Sequence, residues 1–448
     1  MLETLFNRIS ADWRNMPAAE FMGFVKPKCQ EILPPEQLEK ILAPLTSVTS
    51  AMPVTPANSS ASTPSATSSF STSSKPRKLK IKLGVDATGA NLHIGHIVPL
   101  VLLRQFQKAG HHIDFIIGDF TATIGDPSGR DSERKELTAS DVKKNAKGFT
   151  SQIKPYINLG RGTFSSLSRT SSSARVHFNS KWLSKMKMSE MISYLQHISM
   201  SSATQRDDFR KRLAAGNSVS LAETIYGFLM GLDSVHLKSD IEVGAIDQLI
   251  NFQQCRELMS SVGMVPETVL CVSLIEGTDG SGKKMSKSVG NTINLNASHE
   301  DKFGKVMSIP DKLIFPWYVA FTDIHESEIE VLKKAIEAEP LEMKKQLGVL
   351  LIALETKSLK EGKLEREKFE RKFAKKELSE GDFVEVKAGE NLFETLLPQF
   401  ESKGELRRLF EQGAVKHAET ENVLAMDSGV QRGMKVKVGK RGFFRVVG

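Results

Sequence analysis

Two short stretches of this chain carry the residue types that stabilise negative charge on phosphorus. The first runs Leu83-Gly84-Val85-Asp86-Ala87-Thr88-Gly89-Ala90-Asn91-Leu92-His93-Ile94-Gly95-His96. Its apolar start reads as the end of a buried strand, its middle as a polar turn, and Leu92 onward as a helix. Where a strand turns into a helix, unpaired backbone N–H groups point at whatever anion lies there. His93 and His96 are three residues apart, on one face of that helix. Gly95 between them has no side chain, so a flat ligand ring can lie against the backbone. The second stretch is Lys284-Met285-Ser286-Lys287-Ser288, flanked by Gly277, Gly280 and Gly282. It offers two ammonium groups on a loop able to bend over a ligand. Asp86, Thr88 and Asp126 add polar side chains from neighbouring turns. Such a set needs no nucleophile; it works by positioning two substrates and by electrostatics. The matching chemistry is nucleotidyl transfer, in which a carboxylate attacks the α-phosphate of ATP and pyrophosphate leaves. Seen alone, two histidines at a helix start are commonly capping or surface residues, and a lysine-rich run is commonly an exposed loop. Their joint presence, each behind a strand candidate, favours a site.

The elements around these residues follow an α/β pattern. Residues 81–85 read as a strand, 97–110 as a helix ending at Gly110, and 114–120 as a second strand. Strand, helix, strand at this spacing is a βαβ unit with a parallel sheet. The polar loop 123–130, carrying Asp126, then lies at the same sheet edge as the first turn, where α/β folds bind ligands. A charged helix is expected around 138–154, and a strand ending at 177–180 with Trp182 and Leu183 beside it. Residues 185–260 read mainly as helices, with Ser220 and Glu223 forming a capping box. A late strand at 268–274 leads straight into the glycine-flanked lysine loop.

The chain has 448 residues and a formal net charge of +8, too long for one core. Its three cysteines, Cys29, Cys255 and Cys271, have no metal-ligand or disulfide-framework spacing, which points to thiols in a reducing compartment and no structural metal. No apolar run reaches membrane-spanning length, the N-terminus does not read as a secretory signal, and the expected location is cytoplasmic. The organisation reads as a helical lead over 1–45, a disordered Ser/Thr/Pro-rich linker over 46–76, and a catalytic domain over 77–295. A helical region with a charged joint follows over 296–387, and a small unit over 388–448; a second Ser- and Arg-rich stretch, 161–175, reads as a loose excursion. The last unit has a basic helix at 404–416 and two short alternating strands at 434–446.

His93-Ile94-Gly95-His96 and Lys284-Met285-Ser286-Lys287-Ser288 resemble the two signature motifs of class I aminoacyl-tRNA synthetases, in the family's order. The surrounding blocks, 81–130, 226–256, 276–293 and 303–310, resemble tyrosyl-tRNA synthetases of the bacterial type. The resemblance implies a Rossmann-like parallel-sheet catalytic domain, a helical tRNA-positioning region and a C-terminal S4-like RNA-binding domain. It implies that ATP, with Mg2+, is a co-substrate, that L-tyrosine and tRNA(Tyr) are the other substrates, and that the chain forms a homodimer through helices near 185–260. His93 and His96 resemble the histidines that stabilise the α-phosphate transition state. Lys284 and Lys287 resemble those that hold pyrophosphate, and Thr88 a threonine that assists there. Gly84, Asp86, Gly95, Gly244 and Met285 fall in the ATP cleft, and Asp247 matches a carboxylate on the ribose. Tyr226, Met230 and Asp233 share one helix face. Tyr226 and Asp126, with Asp86, resemble the anchors of the substrate α-amino group. Asp233 resembles the acceptor of the phenolic hydroxyl, and Gln248 a second pocket amide. Arg407, Arg408, Lys416, Lys440 and Arg441 are the expected contacts to the RNA backbone, where cations give affinity without base specificity.

The chain departs from the family at four positions of the site. Met230 stands in place of glutamine, Ala87 in place of proline, and Ala245-Ile246 in place of Gly-Thr. Two explanations follow: drift tolerated by repacking, or altered amino-acid specificity, tryptophan being the nearest alternative. A third reading is a non-catalytic RNA-binding descendant of a synthetase. Intact His93, His96, Lys284 and Lys287 weigh against it.

Overall fold

The computed structural model describes residues 1–42, 78–128, 137–159, 174–199, 206–286, 289–374, 382–400, 402–439 and 442–448. The expected linker over 46–76, the excursion up to residue 173, and Lys287, Lys440 and Arg441 lie outside the described residues. The chain folds as two compact units, Met1–Gly362 and Lys363–Gly448.

The first unit is built on a six-stranded sheet. Its strands are β1 (Cys29–Leu33), β2 (Lys80–Asp86), β3 (His112–Gly118), β4 (Arg175–Phe178), β5 (Ile241–Ala245) and β6 (Thr268–Val272), in the order β1-β6-β5-β2-β3-β4. Strands β2 to β6 are mutually parallel, and β1 runs antiparallel to β6 at one edge. Ile113, Phe115, Ile116 and Ile117 of β3 and all five residues of β6 are buried, the continuous apolar run of a strand covered on both faces. From β2 the sheet grows outward to β3 and β4 on one side and to β5 and β6 on the other. This reversal opens a crevice at the carboxyl ends of β2 and β5, the usual ligand site of such sheets.

Two strands of this unit were not expected. Residues 185–260 read as mainly helical, yet β5 lies there, next to the central β2. Its five residues include Glu242, which does not signal a buried strand, and only pairing with Lys82 on β2 makes that burial possible. The lead over 1–45 read as helices alone. Leu2–Ile9, Ala18–Val25 and Pro35–Leu42 are helical, but Cys29–Leu33 between them is β1. That strand has little alternation of its own and forms because β6 offers it an open edge. Leu5, Ile9, Trp13, Phe21 and Phe24 join the main core, so the lead belongs to the catalytic unit.

Helix α1 (Ile97–Lys108) follows β2 and is buried along most of its length. Helices α2 (Tyr226–Leu237) and α3 (Leu249–Ser261) cross closely: a Cβ on Gly231 would lie 3.2 Å from the Cys255 Cα. The carboxylate of Asp323, fully buried, ties α1 to the helices after residue 299. It accepts from Arg104 at 3.0 Å, Gln105 at 2.9 Å and Lys108 at 2.7 Å. Burial alone would push this carboxyl up, but Arg104, Lys108 and Lys28 outweigh it and hold it below the usual carboxylate range. Breaking a buried pair on one side strands the other charges. Asp323→Asn is therefore expected to destabilise the fold by about 3–5 kcal/mol, read as a lower urea midpoint at unchanged slope.

The second unit carries a four-stranded sheet of β7 (Val384–Lys387), β8 (Val415–His417), β9 (Lys435–Val438) and β10 (Gly442–Val447), in the order β7-β10-β9-β8. Leu406 and Phe410 of helix α4 (Lys403–Glu411) pack on Val415, Val436 and Val446. The boundary drawn at 388 misses β7, whose parallel pairing with β10 is a long-range contact that no local pattern announces.

Candidate active site

The crevice at the carboxyl ends of β2 and β5 is a cleft of about 350 Å³. Its lining includes Gly84, Asp86, Thr88, His93, Gly95 and His96 from the first motif and Lys284 and Met285 from the second. Asp126, Tyr226, Met230, Asp233, Gly244, Asp247 and Gln248 line it as well. The fold thus brings together every site residue expected of the catalytic domain except Lys287, which is not among the described residues. A Cβ on Gly84 would meet nothing within 4 Å, so the backbone of β2 is open to a ligand there.

At the first motif the chain forms a short 3₁₀ turn, Ile94–His96, before α1, rather than entering the α-helix at once. His93 caps this turn: its Nδ1 accepts from the Gly95 N–H at 3.2 Å, and the His96 Nδ1 accepts from the His93 N–H at 3.2 Å. A neutral ring that accepts at Nδ1 carries its proton on Nε2. The two imidazoles lie 4.1 Å apart at their centroids. A Cβ on Gly95 would come within 2.8 Å of the His93 ring. Glycine is required there by the histidine itself, beyond the room it leaves for a ligand.

Opposite, the second motif sits in a braced loop. Gly277 donates to the Lys283 carbonyl at 3.0 Å, and the Ser286 N–H donates to Asn291 Oδ1 at 2.9 Å. Gly280 and Gly282 take φ of +66° and +79°, left-handed values that favour glycine. The Lys284 ammonium lies 2.8 Å from Asp247, which follows β5.

The inner end of the cleft is a carboxylate network. Asp86 accepts from the Thr121 hydroxyl at 2.7 Å and the Tyr226 hydroxyl at 3.1 Å. Asp126 accepts from Gln248 Nε2 at 2.7 Å and from the Ser128 N–H at 2.9 Å. Asp233, 4% exposed, accepts from Trp182 Nε1 at 2.7 Å and Asn179 Nδ2 at 3.2 Å. Burial pushes the Asp233 carboxyl up to about 6, against the pull of Lys82 and of the two donors. Burial also raises the Tyr226 hydroxyl, reinforced by Asp86 and Asp126. Tyr226 therefore stays protonated and donates, while Asp86 accepts.

Two of the four departures from the family pattern share one apolar cluster. Met230 and Ile246 both pack against the group formed by Phe252, Val269 and Cys271. Met230 is half-buried between this cluster and the cleft, and a glutamine there would give up part of the apolar contact, at a cost of about 1 kcal/mol. Met230→Gln is expected to lower the thermal midpoint. The same variant with Ile246→Thr should recover part of that loss.

Chain-wide comparison matches residues 74–375 to the family model described as tRNA synthetases class I (W and Y). This chain belongs to that family. The synthetase is 36% identical over 374 residues to a tyrosine–tRNA ligase of Chlorobaculum tepidum, covering 82% of this chain and 89% of the relative. It is 35% identical over 377 residues to that of Aquifex aeolicus, covering 83% and 92%. Among solved structures, a truncated mitochondrial tyrosyl-tRNA synthetase of Coccidioides posadasii superposes with a TM-score of 0.56 at 18% identity, covering 82% of this chain and 94% of that one. A tyrosyl-tRNA synthetase of Archaeoglobus fulgidus in complex with L-tyrosine gives 0.55 at 17% identity, covering 78% and 100%. At these identities the superpositions speak for the fold: a Rossmann-like core with a separate β-rich C-terminal region.

Sequence reading missed Thr121, Asn179 and Trp182, the donors that orient Asp86 and Asp233, and Lys82 beneath them. Trp182 was noted only as a packing residue. No spacing rule links it to Asp233, 51 residues on. In the second unit Arg407 and Arg408 are exposed on α4. Lys416 lies 3.7 Å from Glu421, so part of its charge is already answered.

Proposed function

We propose that this synthetase is a tyrosine–tRNA ligase: it activates L-tyrosine with ATP and transfers the tyrosyl group to the 3′ end of tRNA(Tyr). The observation that carries the reading is the single cleft that joins both signature motifs to the buried Asp233. In this reading the tyrosine α-amino group is held by Asp86, Asp126 and Tyr226, with Gln248 orienting Asp126. Its carboxylate attacks the α-phosphate of ATP while His93 and His96 stabilise the charge that develops there. Thr88 assists at the phosphates, Lys284 and Lys287 draw off pyrophosphate, and Asp247 holds the ribose. Gly84, Gly95, Gly244 and Met285 shape the nucleotide cleft. Mg2+ enters with ATP as part of the co-substrate. Asp233 accepts from the phenolic hydroxyl, which favours tyrosine over tryptophan and phenylalanine. The joint packing of Met230 and Ile246 supports tolerated drift over changed specificity.

The decisive experiment is ATP–pyrophosphate exchange across the twenty amino acids. Exchange with tyrosine alone is expected. Exchange with another amino acid would move the explanation to Met230 and its surroundings. Absence of exchange with tRNA binding retained would leave an RNA-binding descendant.

The second unit fits an S4-like grip on the tRNA backbone through Arg407, Arg408 and Lys416, to which Lys440 and Arg441 of the sequence would add charge. Arg407→Glu with Arg408→Glu is expected to weaken tRNA binding and reduce its salt slope by about 1 per lost phosphate contact, with tyrosine activation unchanged. A homodimer is the further expectation, with Met188, Ile192, Leu213 and Leu221 as exposed apolar side chains that an interface in this region would cover. No described helix is long and apolar enough to cross a membrane. A cytoplasmic location is the reading most consistent with three unbridged cysteines.

A further inference from the structure

A second charged cluster lies beneath the inner end of the cleft, and the reaction as derived does not use it. Lys82, in the middle of β2, is 1% exposed. Its cross-strand partner on β5 is the equally buried Glu242. The Lys82 ammonium lies 2.9 Å from Glu242 Oε1 and 3.8 Å from Glu267 Oε1. It also donates to the Met230 carbonyl at 3.1 Å and to the Ser234 hydroxyl. Ser234 and Ser239 donate in turn to Glu267. Glu242, Cys255 and Glu267 are spaced to hold a cation, and the lysine supplies that positive charge from within the chain.

Position gives this cluster its meaning. Met230 and Ser234 belong to α2, the helix that presents Tyr226, Met230 and Asp233 to the cleft, and Ser234 follows Asp233 directly. We propose that Lys82 is a specificity-determining positioning residue: its buried ammonium, anchored by Glu242 and Glu267 and bonded to the Met230 carbonyl and the Ser234 hydroxyl, supplies the positive charge behind Asp233, the acceptor of the substrate hydroxyl, and fixes the rotation of α2 that aims it. The inference rests on the reading of Asp233 as that acceptor.

The surroundings of Asp233 leave Lys82 as the source of opposing charge. Asn179 and Trp182 are neutral donors. Tyr226 on the same helix stays protonated, and Asp119 after β3 pushes the Asp233 carboxyl further up. Glu242, Glu267 and Cys255 stand around Lys82. Burial disfavours the ammonium, but Glu242 and Glu267 outweigh it, so Lys82 remains charged, while burial and the neighbouring Glu267 push the Glu242 carboxyl well above the usual carboxylate range. Without it, burial is opposed at Asp233 only by two neutral hydrogen bonds. The Asp233 carboxyl then rises further, and its acceptor strength toward a phenol falls.

The test is exchange with tyrosine and with phenylalanine as a function of pH, in wild type, Lys82→Met and Lys82→Met/Glu242→Gln. The double variant removes the carboxylate that the single one leaves unpaired and keeps the test available should the single variant not fold. In wild type the tyrosine-to-phenylalanine ratio of kcat/KM is expected to rise through a midpoint near about 6. In the variants that midpoint should move up by about 1 unit or more, with KM for ATP unchanged. An equal loss for both amino acids at every pH, with the midpoint in place, makes Lys82 purely structural and overturns the inference while leaving Asp233 as acceptor. A wild-type ratio without a pH step, insensitive also to Asp233→Asn, overturns the acceptor reading and the inference with it.

Discussion

His96→Ala is expected to lower tyrosine-dependent ATP–pyrophosphate exchange by about 10²–10³-fold. The loss should fall on kcat, with KM for tyrosine nearly unchanged and tRNA binding intact. The physical reason is the built geometry of the turn before α1. His96 is not a mobile surface residue: its Nδ1 takes the His93 N–H at 3.2 Å, and its ring stacks edge-on against His93 at 4.1 Å. That arrangement holds the His96 ring in place at the lining of the cleft, so little reorganisation is needed during the reaction. A donor aimed where charge develops contributes to the transition state more than to the ground state, so the effect appears in kcat. Retained exchange in His96→Ala would sink the assignment of the phosphate end. A capping role alone would instead show as a lower thermal midpoint with little change in rate, since cap losses cost about 0.5–2 kcal/mol.

Asp233→Ala is expected to collapse amino-acid selection. A site built to hydrogen-bond a hydroxyl rejects the analogue lacking it by about 10⁴–10⁵, whereas a merely shape-fitting pocket discriminates a hydroxyl by about 10². The variant should fall to that lower level, by loss of tyrosine kcat/KM and gain for phenylalanine, measured as the ratio of exchange rates. The pH dependence of the wild type has a definite sign. With its carboxyl pushed up to about 6, Asp233 is ionised and accepting above that pH and becomes protonated below it. Selection therefore weakens on acidification. For stability the sign is opposite. The folded pKa lies above the unfolded one, so this group's destabilising contribution is present above about 6 and is relieved as pH falls toward the ordinary carboxyl value of 3.8. The fold carries an unfavourable buried carboxylate at the position proposed for the acceptor of the substrate hydroxyl.

These two residues were legible in the sequence for different reasons. His93 and His96 sit in one local motif, whose strand–turn–helix context follows from apolar Leu83 and Val85, the polar turn and the helix pattern after Ile97. Asp233 was legible through its seven-residue spacing from Tyr226, which places both on one face of α2. What surrounds them was not. Trp182 reaches Asp233 from a different element, and Lys82 meets Glu242 only because β2 and β5, 160 residues apart in sequence at Lys82 and Glu242, are neighbours in the sheet. A lysine within a short apolar run and a glutamate within another each look like solvent-facing residues until the strands pair. The strand status of β5 was hidden for the same reason, and that of β1 because its partner is supplied from the far end of the catalytic unit.

The local chemistry of this protein is thus written in the chain itself: both motifs, their order, the α/β pattern and the shared face of Tyr226, Met230 and Asp233 depend on spacings of a few residues. The tertiary structure alone decided which carboxylates are buried, what opposes their charge, and that Met230 and Ile246 share one apolar cluster with Phe252. Those outcomes depend on contacts between residues far apart in the chain, where hydrogen-bond partners and desolvation, rather than periodicity, set the energy.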